Sequence, residues 1–135
     1  MGAGVYGNAS WYSLCNGSNG ACGDCNNWSY HLAWPELTTT GCDFDCDDVN
    51  PPAACGSIVY IYDYCTGQGY WGRVKDCLPD TANPSNCNRR TCCKGNCEYS
   101  STFRRAIADL TQGMWYKIHG SFWSDGRIKV WIYVY

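Results

Sequence analysis

The chain has 135 residues, 12 of them cysteine, and a net charge of only −2. That length can bury one sizeable core, and ten lysines and arginines in all are too few for a surface that neutralises phosphates, so no nucleic-acid partner is expected. Cysteine at this density in a short chain marks a disulfide scaffold made in an oxidising compartment, and no run of about 18 apolar residues offers a membrane span.

Residues 1–12 lack the apolar stretch of a secretory leader and read as the start of a mature, secreted, extracellular protein. One domain over 1–135, acting as a monomer, is expected. Glycosylation sequons fall at Asn8, Asn16 and Asn27, while Asn83-Pro84-Ser85 is excluded by its proline. Val5 to Ser13 is the first strand-prone run. Residues 41–56 read as an acidic, proline-containing loop. Ser57 to Tyr62 and Tyr70 to Lys75 read as a hairpin around the turn Thr66-Gly67-Gln68-Gly69. Residues 78–97 form a second cysteine-rich loop. Phe103, Ala106, Ile107 and Leu110 recur at i, i+3, i+4 and i+7, which predicts one short helix over about 100–110, capped by Ser100 or Ser101 and ended by Gly113. Trp115 to Ile118, Gly120 to Trp123 and Ile128 to Tyr135 read as strands. The class is mostly β, closed or nearly closed. The cysteines at 15, 22, 25, 42, 46, 55, 65, 77, 87, 92, 93 and 97 (Cys15, Cys22, Cys25, Cys42, Cys46, Cys55, Cys65, Cys77, Cys87, Cys92, Cys93, Cys97) suffice for six bridges, whose pairing the sequence leaves open.

The order of several short motifs is similar to that of expansins and barwin-like proteins. Ala9-Ser10-Trp11-Tyr12 resembles the expansin Ala-Thr-Trp-Tyr opening, and Gly20-Ala21-Cys22-Gly23 their Gly-Ala-Cys-Gly. Cys55-Gly56 precedes a strand as a second Cys-Gly pair does there. Gly72 to Pro79 is similar to their Val-x-Asp-x-Cys-Pro segment, and Cys97-Glu98-Tyr99-Ser100, followed by Phe103 and Gly113, resembles their Asp-Leu-Ser…Ala-Phe…Gly segment. The resemblance implies a six-stranded double-psi β-barrel of the rare-lipoprotein-A-like superfamily, a group that also holds endoglucanases and a bacterial papain inhibitor. Fold alone does not assign function within it.

The resemblance also implies a groove. Its matching polar positions here are Ser10, Asp76 and Glu98, and the adjoining aromatics Trp11, Tyr12, Tyr70 and Trp71 complete a surface on which sugar rings can pack. The expected partner is a polysaccharide such as cellulose, chitin or a peptidoglycan-like glycan, bound without hydrolysis. Were the chain an enzyme, Glu98 and Asp76 would be its catalytic carboxylates, with Glu98 as the acid of an inverting glycoside hydrolase. The position of that family's base is occupied by Ser13, whose hydroxyl cannot activate water alone. Leu78 and Asn96 replace an aromatic and a histidine of the family pattern. A protease inhibitor or defence protein, presenting loops 41–56 and 78–97 on the same barrel, is the alternative reading. Trp115 and Trp131 read as core. No cofactor and no metal are expected: a single Cys-x-x-Cys falls short of a zinc site, and the acidic run Asp43, Asp45, Asp47, Asp48 lacks the central glycine and distal glutamate of a calcium loop. His31 and His119 lie in no nucleophile motif.

Overall fold

The computed structural model describes residues 2–13, 16–17, 21–78 and 87–135. Cys15, Gly20 and the stretch 79–86, including Pro79 and the excluded sequon, lie outside the described residues. Six strands close a barrel: β1 (Ala3–Tyr12), β4 (His31–Trp34), β7 (Ile58–Asp63), β8 (Gly69–Cys77), β11 (Ala106–Thr111) and β12 (Arg127–Val134), in the order β1-β11-β4-β8-β7-β12. Three small ribbons surround it: β2 (Asn16–Gly17) with β3 (Cys25–Asn26), β5 (Glu36–Leu37) with β6 (Cys42–Asp43), and β9 (Thr91–Cys93) with β10 (Asn96–Glu98). The expected fold class, mostly β with a closed six-strand barrel and one helix, is what is observed.

Alternation builds the wall. In β12, Ile128, Val130, Ile132 and Val134 are buried while Arg127, Lys129, Trp131 and Tyr133 face outward. In β7, Val59 and Ile61 point inward beside outward Tyr60 and Tyr62. The hairpin β7–β8 pairs Ile58 with Arg73 through Tyr62 with Gly69, as its turn chemistry predicts. Two parallel pairs, β1–β11 and β4–β8, cross the barrel, each with a register shift, at Asn8/Ala9 and at Leu32/Ala33.

Three expectations are corrected. The helix is not at 100–110. Residues 106–111 are strand β11, ladder-bonded to β1 on one edge and β4 on the other, and these pairings override the helical spacing of Phe103, Ala106, Ile107 and Leu110. The helix is α1 (Gln112–His119), which takes over Trp115 to Ile118 from their expected strand. Thr111 caps it by accepting the Met114 amide, and Gly113 opens it rather than ending it. Gly120 to Trp123 is turn leading into a short 3-10 segment, Trp123–Asp125. Second, loop 78–97 contains the β9–β10 hairpin. Third, Trp115 is fully buried as expected, whereas Trp131 lies on the outer face of β12.

Five bridges are defined, Cys22–Cys55, Cys42–Cys77, Cys46–Cys87, Cys65–Cys93 and Cys92–Cys97. Cys25 is also disulfide-bonded, and no described cysteine is free.

Candidate functional site

Strand register assembles a polar row on one outer flank of the barrel. Ser10 of β1 pairs with Arg127 of β12 on one side and Asp109 of β11 on the other; Asp109 pairs with Ala33 of β4, and Ala33 with Asp76 of β8. Directly paired residues project to the same face of a sheet, so Arg127, Ser10, Asp109, Ala33 and Asp76 form one line across five strands. Ser10 Oγ donates to Asp109 Oδ1 at 2.9 Å. One step along β1, the Tyr12 hydroxyl donates to Asp76 Oδ2 at 2.9 Å. Asp76 Oδ1 accepts the amides of Ala21 and Cys77, both at 2.8 Å, which fixes the carboxylate at the base of the 21–23 turn.

The electrostatics are unequal along the row. Burial pushes the Asp109 carboxyl up to about 7; the Ser10 hydroxyl and the Arg127 guanidinium partly offset this, and the charge of Asp76 adds to the rise. Burial, and then the charge and hydrogen bond of Asp76, hold the Tyr12 phenol far above its ordinary value, so it remains a donor. The row thus sets a fully engaged carboxylate at Asp76 and a buried carboxyl raised to about 7 at Asp109 beside the guanidinium of Arg127.

The expected site residues divide. Ser10, Tyr12 and Asp76 are brought together. Trp11 points to the other face of β1 by the period-two rule: its indole N–H donates to the Trp123 carbonyl at 3.0 Å and its ring packs on Trp123, centroids 4.9 Å apart. Glu98 sits on β10, ion-paired with Lys129, and lines a separate hollow of about 440 Å³ with Tyr64, Thr91 and Phe103. Tyr70 and Trp71 line a third hollow, of about 620 Å³, with Tyr30, His31 and Arg73. Asp109 and Arg127 were missed. The signal for Asp109 was present: Asp109-Leu110-Thr111 stands directly before the true helix, where the resemblance wanted Asp-Leu-Ser, but placing the helix too early moved that motif to Glu98.

A second polar cluster is sealed inside. His119 lies between Asp63 and Asp125, with Nδ1 2.6 Å from Asp63 Oδ2 and Nε2 2.5 Å from Asp125 Oδ2. Burial opposes the charged ring, yet the two carboxylates hold its pKa above the ordinary imidazole value. Asp125 also accepts the Lys94 and Gly95 amides, so the cluster ties the β9–β10 turn to the C-terminus of α1. Cys65, near Asp63, is bonded to Cys93 and offers no thiolate to a metal.

The fold is a small, disulfide-rich, double-psi-like barrel with a row of polar side chains across five of its strands. No family model matches the chain, and no curated protein does. Solved structures do: one is Streptomyces papain inhibitor, 17% identical, with 98% of this chain and 96% of that one covered at a TM-score of 0.55. The likeness establishes the barrel, and the narrower attribution to expansins or barwin rests on the motifs alone. No helix among the described residues is long and apolar enough to cross a membrane.

Proposed function

We propose that the chain is an extracellular binding protein that inhibits a papain-like cysteine protease. The observation carrying this reading is the way three bridges converge on one segment: Cys42, Cys46 and Cys55 are each tied to a different part of the molecule, at Cys77, Cys87 and Cys22. Between them the chain presents Phe44, 41% exposed, flanked by Asp43 and Asp45. A cross-linked loop loses little entropy when it docks, which favours tight binding from a small surface. The choice of a papain-like target is supported by the activity named for the whole-chain structural neighbour. Titrating papain with the oxidised protein tests it. The expected result is saturable inhibition at about 1 μM or below, weakened at least tenfold by Phe44→Ala. No inhibition at about 10 μM protein rejects the reading.

The polar row supports a second reading, a barrel flank that binds a cell-wall polysaccharide without cutting it. Sugar hydroxyls both donate and accept, and Asp76, Asp109 and Arg127 offer both roles side by side. Retention on insoluble cellulose, chitin or peptidoglycan is expected to fall severalfold in Tyr12→Phe and Asp109→Ala. Absent retention on all three, or retention that ignores both substitutions, removes this reading.

A further inference from the structure

Three carboxylates crowd together on the segment 36–45. Glu36 on β5 lies directly opposite Asp43 on β6, and like charges facing each other across a ladder destabilise it. Asp45 joins them: one carboxylate oxygen from each of Glu36, Asp43 and Asp45 lies within 4.8 Å of the other two. Among the described residues no ion pair reaches any of the three; the nearby guanidinium of Arg105 is engaged by Asp47 at 3.0 Å.

A separate observation concerns hydrogen bonding. Asp45 is only 8% exposed. Its Oδ2 accepts the Asn50 amide at 3.3 Å, while Oδ1 is buried and has no donor. Asn50 is 4% exposed, and its Oδ1 is likewise buried without a donor while its Nδ2 donates to the Ile107 carbonyl. Buried acceptors are nearly always satisfied, so the open Asp45 oxygen, in a carboxylate cluster that no side-chain cation pairs among the described residues, is suited to a cation.

We propose that Glu36, Asp43 and Asp45 bind a calcium ion. Every atom they offer is a hard oxygen, and no imidazole or thiolate lies in the set, which selects calcium over zinc or copper. Calcium accepts an irregular shell of six to eight oxygens, completed by water, whereas magnesium demands a tight octahedron that a two-residue ribbon and its loop do not impose. The site escapes the pattern of a calcium loop because Glu36 enters from ahead of the acidic run, through the β5–β6 pairing. The proposal stands apart from protease inhibition, although the ion would stiffen the segment carrying Phe44.

Calorimetric titration of the oxidised, EDTA-treated protein with calcium chloride tests it, with thermal unfolding alongside. The expected result is one saturable site with Kd of about 10⁻⁴ to 10⁻³ M, as in extracellular calcium modules. Magnesium chloride binds at least tenfold more weakly. In about 10 mM calcium the Tm rises by roughly 5 °C. Asp43→Asn, at an exposed position, and Glu36→Gln each weaken calcium at least tenfold; Asp47→Asn, whose carboxylate faces Arg105, leaves it unchanged. The proposal is overturned if calcium gives neither saturable heat nor a Tm change, or if it binds Asp43→Asn and Glu36→Gln as it binds the native chain.

Discussion

At Asp109 a single proton is coupled to folding. Its carboxyl titrates near 7 in the folded chain against an ordinary value of 3.8, because burial disfavours the anion more than Ser10 and Arg127 favour it. The folded state therefore holds the proton more tightly than the unfolded state. The stability this confers is complete below about pH 4, declines as pH rises through 7, and is gone above; the difference corresponds to at most about 4 kcal/mol. Asp109→Asn keeps the shape and the neutrality of the acid. Urea unfolding of this variant is expected to decline much less than the native chain between about pH 4 and pH 7, leaving the loss above 6.5 that the raised His119 contributes, and to match or exceed native stability at the upper end. A variant that still declines as the native chain does would show that another group is responsible. The same scale explains what the sequence concealed. Ser10, Tyr12 and Asp76 are legible because each sits in a short motif and strand parity keeps Ser10 and Tyr12 on one side. Trp11, read into the groove by its place between them, goes to the opposite face for the same reason. Arg127 carries no motif, and only the β1–β12 register brings it beside Ser10.

Elements with one wet face were readable, and those buried on both faces were not. β12 and the β7–β8 hairpin alternate cleanly, with Ile128, Val130 and Ile132 inward and Arg127, Lys129 and Trp131 outward, so period two announces them. β11 buries adjacent Ile107 and Ala108, then Leu110 and Thr111, because it is covered on both sides. Its apolar residues consequently fit a helical stripe by accident. The true helix carries Gly113 in its first turn, a residue that usually argues against helix. The structural reason is close approach: a Cβ there would meet the Trp28 carbonyl oxygen at 2.4 Å, and the Gly113 amide donates to Asn27 O at 2.8 Å. Neither contact is local in sequence, so no local rule could place the helix start. The Asp63–His119–Asp125 cluster is equally non-local, since Asp63 ends β7 while His119 ends α1, 56 residues later.

Across the whole molecule the bridges differ in the length of chain they constrain. Cys42–Cys77 spans a separation of 35 residues and Cys92–Cys97 only 5. In the chain-entropy account, removing the first costs about 4 kcal/mol and the second about 2 kcal/mol, and the remaining bridges shorten the effective loop of the first without reversing the order. Burial reinforces the ranking, because Cys42 is packed in the core against Trp34 and Leu37 whereas Cys97 is exposed. The paired variant Cys42→Ala/Cys77→Ala is therefore expected to unfold at lower urea than Cys92→Ala/Cys97→Ala. It should also lose protease inhibition well below its unfolding midpoint, since Cys42 anchors the segment that presents Phe44; the 92–97 variant should inhibit as the native chain does. If the 92–97 pair proves the costlier to remove, loop entropy does not govern stability here. If both variants inhibit equally, the tethered 42–55 segment is not the surface that meets the enzyme, and binding must reside on another flank of the barrel, with the Ser10–Asp109–Asp76 row the next to be tested.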